Sequence, residues 1–366
     1  MKVQYNMVVR KKTKKCIMNV KKTTLAAAGA DFSTRAQKGN GRNQDEIRSR
    51  VFAVVQQLLQ RTPLLIWGSG ATVPCGLPTM RELGCHVKAQ LSLGIDENAN
   101  FEDELSKFEV EPCLDQIRKS IWKYINKADL KARAKLINGN DAYLKAIASL
   151  LTTFCRNHPQ TLKIITTNYD RVLENVSAWN GLSFTDGSGL GDLTGFSIDR
   201  FSGKENVKIV KVHGSLSWGR FKGGALPRVV NTVVPRLENI IIIPGNNKYR
   251  EAYNSPYREL IQVSDEYVNE ATAFLVIGFG FNDMHITPKV SEKIKNGTPV
   301  VIVTMSLSQN TKDLISNAKR YVVLSQDKKH PKMTRIEYKI NDSAVADNVM
   351  LPGKLWTLTE FMEILV

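Results

Sequence analysis

The hydrophobic positions of the chain alternate between long amphipathic runs and short unbroken apolar runs. From residue 44 to 60 the apolar side chains recur at helical spacing, at Ile47, Val51, Val54, Val55, Leu58 and Leu59. The next run, "LLIWGSG" at 64–70, predicts a buried strand that ends in a glycine turn. The segment "PTMRELGCHVKAQLSLG" at 78–94 predicts the following helix, with Pro78 and Thr79 as its start signal.

The same alternation continues towards the C-terminus. Further strands are predicted at "KIITTN" (163–168), "VKIVKVHGS" (207–215), "TAFLVIGFGFND" (272–283) and "TPVVIVTMS" (298–306), with amphipathic helices between them. Residues 100–156 have a helical pattern almost throughout, which predicts a helical insertion between two strands. Strands that alternate with helices predict an α/β fold, a Rossmann-like doubly wound parallel sheet with helices on both faces.

The positive charge of the chain is concentrated at its N-terminus. The net charge is +16, and residues 1–50 hold 13 Lys and Arg against 3 Asp and Glu, a net of +10. Low periodicity and the run "RKKTKK" predict a basic, flexible tail over residues 1–45. Such a tail could bind nucleic acid, or it could be a solvated terminus without a partner.

Composition narrows the class of protein. A hydrophobic fraction of 42% and a charged fraction of 23% are typical of a soluble globular protein. No apolar stretch is long enough for a membrane span, and lysines interrupt the weak signal-like start, so we predict a cytoplasmic protein. Five scattered cysteines without a CxxC pair argue against a disulfide framework and against a cysteine zinc site.

Candidate chemistry lies where the strands end, because ligands of doubly wound sheets bind beyond the carboxyl ends of the strands. The first strand delivers Gly68, Ser69, Gly70, Ala71 and Thr72. The second delivers Thr166, Thr167, Asn168, Tyr169 and Asp170, and the third delivers His213, Gly214 and Ser215. The fourth delivers Gly278, Phe279, Gly280, Phe281, Asn282 and Asp283, and the fifth delivers Thr304 and Ser306. We predict that these tips face one crevice of backbone amides, hydroxyls, carboxamides and one imidazole.

Two of these tips are glycine turns, which let backbone amides approach a phosphate closely. The first departs from the G-x-G-x-x-G fingerprint, since Gly68 and Gly70 are followed by Gly76 with Pro74 between them. Each turn alone is an unspecific signal, but two of them at one switch point would suit a ligand with two phosphates. His285 follows Asp283 at a helix start, where local hydrogen bonding is the expected role, and no metal site is predicted.

Taken together and in this order, the motifs resemble those of the sirtuin-like family. They are "GSGATVPCGLPTM", "TTNYD", "KVHGS" and "IGFGFND", and the resemblance covers roughly residues 45–310. Within the family the chain is similar to the bacterial anti-phage branch, found in Thoeris systems and beside HerA-like ATPases. The resemblance implies that residues 46–320 form an NAD-binding catalytic domain, with the insertion at about 100–156 and with C-terminal elements (321–366) packed on it.

The resemblance also implies an activity, in which NAD+ is the substrate and is hydrolysed to nicotinamide and ADP-ribose. Asn168 would orient a water molecule or the ribose hydroxyls, His213 would be the general base, and Asp170 would fix the loop or a hydroxyl. The first turn, Gly68 to Thr72, would hold phosphate. The remaining cofactor contacts would come from Thr167, Gly278, Phe279, Gly280, Asn282, Asp283 and Ser306.

One departure from the family separates the alternatives. Protein-deacylating sirtuins carry a zinc module of paired CxxC motifs after the catalytic histidine, whereas this chain has no cysteine after Cys155. That weakens a deacylase or ADP-ribosyltransferase activity, which stays open beside an NAD-dependent oxidoreductase and a nucleotide- or DNA-binding subunit with latent activity. The family also implies a homo-oligomer and a HerA-like ATPase partner, and antiviral defence by NAD depletion.

Overall fold

A computed structural model describes residues 41–94, 96, 101–107, 111–156, 158–189, 191, 193–221, 224, 226–229, 237–245, 251–342 and 345–365. Residues 1–40 of the predicted tail (1–45) lie outside the described residues. Its last five residues belong to the first helix, which begins at Gly41 rather than near residue 45.

The strands are short and, at the centre of the sheet, buried on both faces. In chain order they are β1 (Leu64–Trp67), β2 (Leu162–Thr166), β3 (Phe184–Thr185), β4 (Val207–Lys211), β5 (Gly214–Phe221), β6 (Leu237–Ile241), β7 (Phe274–Ile277), β8 (Val300–Thr304), β9 (Tyr321–Gln326), β10 (Met333–Lys339) and β11 (Asp347–Pro352). Every residue of β1 and β7 is buried, as expected for parallel strands covered by helices on both sides.

Nine of these strands form one sheet in the order β11-β10-β9-β8-β7-β1-β2-β4-β3. Along this order, every neighbouring pair between β3 and β9 is parallel. At the other edge, β10 and β11 pair in antiparallel register. The predicted α/β fold with a doubly wound sheet is therefore confirmed, and the sheet is mostly rather than wholly parallel. From β1 the chain builds β2 and β4 on one side and β7, β8 and β9 on the other, so the switch point lies between β1 and β7. The strands β5 and β6 form a separate antiparallel pair.

Helices cover both faces of the sheet. They are α1 (Gly41–Leu58), α2 (Met80–Leu91), α3 (Phe101–Leu105), α4 (Glu111–Asn138), α5 (Ala142–Cys155), α6 (Val172–Trp179), α7 (Tyr257–Glu270), α8 (Thr287–Lys295), α9 (Gln309–Ser316) and α10 (Leu358–Leu365). Apolar side chains of α1 to α6 and α10 form one core with Leu65 and Trp67 of β1. Those of α7, α8 and α9 form a second core with Leu64 and Ile66, because successive strand side chains point to opposite faces.

The segments around the sheet follow their sequence signals closely. The predicted start of α2 is confirmed, since Thr79 caps it and forms a reciprocal capping box with Glu82. The helical pattern of 100–156 resolves into α3, α4 and α5, which pack into the core of the sheet. Within the described part of the chain, no helix combines the length and apolar character that crossing a bilayer requires.

Candidate functional site

The two glycine turns lie side by side at the switch point and touch through their backbones. The Gly68 amide donates to the Ile277 carbonyl at 3.0 Å, and the Gly70 amide donates to the Gly278 carbonyl at 3.0 Å. A Cβ on Gly68 would lie 2.3 Å from the Gly278 oxygen. Gly278 has φ +61°, and a Cβ there would lie 2.2 Å from the Ala71 nitrogen. Both positions therefore require glycine, because any side chain would separate the turns.

The first turn continues as two short 3-10 turns, Ser69–Ala71 and Val73–Cys75. Its backbone is fixed from outside by the Tyr143 hydroxyl, which donates to the Ala71 carbonyl at 2.8 Å. The helical segment between α2 and β2 thus positions the first glycine turn.

Asn168 connects the end of β2 to this turn. Its side-chain nitrogen donates to the Gly68 carbonyl at 3.0 Å and to the Thr72 hydroxyl at 3.3 Å, while its backbone amide donates to the Thr166 hydroxyl at 3.0 Å. A carbonyl can only accept, so the nitrogen of the carboxamide must be the atom that faces Gly68. Both of its hydrogens are then committed, and the carboxamide oxygen is the group available to a ligand.

His213 lies in the connection between β4 and β5, and the glycine after it explains the "HG" pair. Gly214 has φ +87°, and a Cβ there would lie 2.2 Å from the Ile240 carbonyl oxygen. The Ile242 amide donates to the His213 carbonyl at 2.9 Å. The chain can therefore turn sharply only with glycine at 214, and this turn fixes the backbone that carries the imidazole.

The His213 ring contacts Asp283, the last residue of the second glycine turn, and His285, which follows two residues later. Its Nε2 lies 3.1 Å from Asp283 Oδ2 and 3.3 Å from His285 Nδ1. The other Asp283 oxygen accepts from the backbone amides of His285 at 3.0 Å and Ile286 at 3.2 Å. Asp283 and His285 thus take part in the local hydrogen bonding expected from the sequence, and they also contact His213, which the sequence does not indicate.

Asp170 lies two residues after Asn168 and is buried. Its carboxylate accepts from the Val172 amide at 3.2 Å, and its carbonyl accepts from the Lys211 ammonium. Burial raises the pKa of Asp170 to about 6, opposed by the Lys211 charge, while Asp129 and Glu174 add to the increase. The Lys211 ammonium also pairs with Glu174 at 2.7 Å, so a buried charged network supports the Asn168 segment.

These elements enclose a cavity of about 650 Å³ beyond the carboxyl ends of the strands. That volume lies in the range typical of small-molecule sites. Asn168 and His213 both border it, although they follow different strands. The predicted residues that line it are Ser69, Thr72, Thr167, Asn168, Asp170, His213, Gly278, Phe279, Gly280, Asn282 and Asp283.

Four predicted residues lie elsewhere. Gly68, Gly70 and Ala71 belong to the interlocked backbone rather than to the lining. Ser306 follows β8 outside the lining, where its carbonyl accepts from the Thr304 hydroxyl at 3.0 Å. The serine that reaches the second turn is Ser308, which caps α9 and donates to the Gly280 carbonyl.

Other lining residues were missed because they belong to segments that the sequence identifies only as helix or loop. They are Leu77, Pro78, Met80, Arg81, Leu83, Phe101, Glu102, Ile125, Ile243 and Pro244. Tyr169 also lines the cavity, and it belongs to the second strand end that was expected there. Arg81, in the first turn of α2, places a positive charge in the lining of the cavity. Its position directly after the helix start signal was the only sequence indication that it would face the strand ends.

The fold and the cavity define an α/β protein with a cavity at the switch point of a doubly wound sheet. Residues 162–332, just under half of the chain, match the family model of the SIR2-like domain. The matched region runs from β2 into the turn after β9 and includes Asn168, His213 and Asp283.

Solved structures similar to the chain include several Sir2 proteins. A Sir2 homolog–NAD complex has 14% identity and a TM-score of 0.46, with 75% of this chain and 87% of that chain covered. Sir2Tm bound to a propionylated peptide has 15% identity and a TM-score of 0.40, with 70% and 86% covered. A mutant Sir2 homologue with 2'-O-acetyl ADP ribose has 16% identity and a TM-score of 0.42, with 71% and 87% covered. The comparison with curated proteins gave no match.

Proposed function

We propose that the protein is an NAD+ hydrolase that cleaves the bond between nicotinamide and ribose. The observation that carries the proposal is that Asn168 and His213 border one cavity together with two interlocked glycine turns. The SIR2-like match over residues 162–332 supports NAD as the ligand, and one similar Sir2 homolog was solved with NAD.

The lining suits the parts of NAD. Ser69 of the first turn, through its amide and hydroxyl, and Arg81 in the same lining would bind the pyrophosphate, because hydrogen-bond donors and a cation favour an anion. Gly278, Phe279, Gly280, Asn282 and Asp283 of the second turn, with Thr167, would bind the remainder of the dinucleotide. Ser306 is left out of this set because it lies outside the lining.

The chemistry requires few charges. The carbon–nitrogen bond breaks with its electron pair going to the pyridinium ring, so nicotinamide leaves as a neutral molecule without protonation. The ribose becomes oxocarbenium-like, and one water molecule attacks it. Asn168 would accept a hydrogen bond from that water or from a ribose hydroxyl through its oxygen, and His213 would take the water's proton. The products are nicotinamide, ADP-ribose and a proton.

The test is nicotinamide release from NAD+ by the purified protein and by Asn168→Ala and His213→Ala. We expect each variant to lose roughly 100-fold or more of the rate, as removal of a positioned base or of an orienting group does. His330→Ala, in an exposed turn, is the matched control and should keep the full rate. Full activity in either cavity variant, with unfolding temperatures unchanged, would remove the assignment.

Three other functions would give different results in the same assay. A deacylase or ADP-ribosyltransferase would release nicotinamide only when an acylated peptide or a protein acceptor is added, and it would form an acyl ester or a modified protein. An oxidoreductase would keep NAD intact and change its absorbance. A nucleotide- or DNA-binding subunit would bind NAD or DNA without turnover under every condition.

The biological part of the proposal rests on the resemblance of the motifs to the anti-phage branch. We place the enzyme in the cytoplasm, as a homo-oligomer that depletes NAD during infection, with a HerA-like ATPase as partner. Nucleic-acid binding by residues 1–45 rests on their charge alone. Measuring cellular NAD after phage challenge, with wild type and Asn168→Ala expressed in parallel, tests the role. Equal protection and equal NAD levels in the two strains would refute it.

A further inference from the structure

Three side chains with electronegative atoms converge at one point beside the cavity. His213 comes from the connection after β4, and Asp283 and His285 come from the turn after β7. One ring nitrogen from each histidine and one oxygen of Asp283 all lie within 4.8 Å of one another. Two of these separations are 3.1 Å, from His213 Nε2 to Asp283 Oδ2, and 3.3 Å, from His213 Nε2 to His285 Nδ1.

His213 Nε2 faces two electronegative atoms at once. A ring nitrogen has a single in-plane site, which carries either one proton or one lone pair. His213 Nε2 can therefore make one good hydrogen bond, yet both Asp283 Oδ2 and His285 Nδ1 lie within reach of it. A cation placed between the three atoms would be bound by all of them at once.

The separations fit a small divalent ion. A tetrahedral zinc ion with bonds of about 2.0–2.2 Å holds neighbouring donor atoms roughly 3.3–3.6 Å apart. The observed distances of 3.1 and 3.3 Å require only a small movement to reach this range. Two imidazoles and one carboxylate favour first-row transition metals over magnesium and calcium, which prefer oxygen ligands.

The ligands are held in place by contacts that do not depend on an ion. The second Asp283 oxygen accepts from the His285 and Ile286 amides, which leaves Oδ2 directed at His213. The His213 backbone is fixed by the turn at Gly214 and by the Ile242 amide. Such fixed partners orient metal ligands and strengthen binding. His213 and Asp283 also line the cavity, which gives an ion a path of entry and an open coordination position.

We propose that His213, Asp283 and His285 form a binding site for one divalent ion of the Zn²⁺ class, and that the bound ion silences the enzyme. The ion would occupy the His213 lone pair at Nε2 and hold the imidazole against the second glycine turn. The imidazole could then no longer accept a proton from water in the cavity. The silencing, unlike the binding, rests on the proposed hydrolase function.

Binding is tested without any reference to catalysis. The full chain is titrated with Co²⁺, whose visible absorption reports coordination, and Zn²⁺ is then added as a competitor. We expect one Co²⁺ per chain, displaced by Zn²⁺, and an affinity roughly 100-fold weaker in His285→Gln and in Asp283→Asn. His330→Gln is the matched control, because it breaks an exposed pair in which His330 Nδ1 lies 3.1 Å from Asp327 Oδ1.

A stability measurement keeps this test informative. Zn²⁺ should raise the unfolding temperature of wild type and of His330→Gln, and should leave that of His285→Gln unchanged. Metal-free unfolding temperatures show whether each variant is folded. Equal Co²⁺ affinity in wild type and His285→Gln would overturn the site.

Silencing is tested by nicotinamide release at increasing Zn²⁺. Wild type should lose activity with the same midpoint as Zn²⁺ binding, and His285→Gln, measured against its own metal-free rate, should need roughly 100-fold more Zn²⁺ for inhibition. Inhibition of both proteins at the same concentration, or an unchanged rate in saturated wild type, would overturn the silencing. Residue-dependent metal binding in a protein that never releases nicotinamide would leave the site standing and remove the hydrolase function.

Discussion

The two glycine turns look alike in the sequence and differ in what they contribute. The first, Gly68 to Thr72, is held by hydrogen bonds from side chains outside the turn. The Asn168 carboxamide donates to Gly68 and Thr72, and the Tyr143 hydroxyl donates to Ala71. The second, Gly278 to Asp283, carries the side chain that contacts the imidazole: Asp283 lies against His213, and Asn282 borders the cavity.

This contrast separates shape from chemistry. A glycine turn in a sequence indicates where a backbone must approach another group closely, but it does not indicate which turn presents reactive side chains. Here the backbone of the first turn is held by hydrogen bonds from Asn168. The second turn supports the His213 imidazole through Asp283. Variants of the two turns should therefore fail in different ways.

The largest effect is expected where the turns touch. In Gly278→Ala the new Cβ would lie 2.2 Å from the Ala71 nitrogen at φ +61°, so the turns must separate. We expect a loss of about 3–5 kcal/mol in the free energy of unfolding, measured by denaturant titration.

Gly280→Ala is the matched control within the same turn. The nearest neighbour of the new Cβ would be the side-chain nitrogen of Asn282 at 3.4 Å, and the position does not require a left-handed backbone. We expect a change below about 1 kcal/mol. Equal losses in Gly278→Ala and Gly280→Ala would show that the close approach of the turns does not limit stability.

Asn168→Asp should have the next largest effect. The variant keeps the shape of the side chain and replaces its donor nitrogen with an oxygen that faces the Gly68 carbonyl. Leaving that buried acceptor without a donor costs about 1–3 kcal/mol, and nicotinamide release should fall with it. Asn282→Asp, on an exposed carboxamide of the second turn, is the comparison and should leave the free energy of unfolding nearly unchanged. Similar destabilisation by the two changes would contradict the structural role given to Asn168.

A smaller effect is expected from pH at Asp170. Burial raises the pKa of Asp170 from 3.8 to about 6 in the folded protein. Between these values the unfolded chain loses its proton while the folded chain keeps it, so raising the pH through this window favours unfolding. Wild type should therefore lose about 1 kcal/mol relative to Asp170→Asn between pH 5 and pH 7. Denaturant titrations of both proteins at the two pH values measure this difference, and a constant difference would contradict the raised pKa.

The sequence predicts most of the fold because the elements have strong local signals. The strands at 64–70, 163–168 and 272–283, the capped start of α2 and the helical stretch of 100–156 all follow from periodicity and start signals. The order of the strands in the sheet has no local signal, since any buried apolar strand can lie beside any other. The antiparallel strands β10 and β11 at the edge lie within the predicted C-terminal elements (321–366), for which no individual strand is predicted.

The candidate site, like the fold, is predicted from the sequence only in part. The carboxyl-end rule brings Asn168, His213 and the second glycine turn to one cavity, because parallel strands deliver their ends to a common edge. Phe101 and Ile125 could not be foreseen there, since an apolar side chain that faces a cavity has the same spacing along a helix as one in the core. The contact of His213 with His285 depends on the adjacency of chain segments that lie far apart in sequence.

The smallest predicted effect tests how the first turn is held from outside. Tyr143→Phe removes the hydroxyl that donates to the Ala71 carbonyl and leaves the ring in place. One such hydrogen bond contributes about 0.5–1.5 kcal/mol, and the free energy of unfolding should fall by that amount. Tyr253→Phe is the control, because Tyr253 is 79% exposed. If the first turn acts as a fixed backbone surface, Tyr143→Phe should also raise KM for NAD+ more than it lowers kcat, since a looser turn weakens phosphate binding while Asn168 and His213 stay intact. A loss in kcat alone would show that the helical segment acts on the chemical step and not on the shape of the turn.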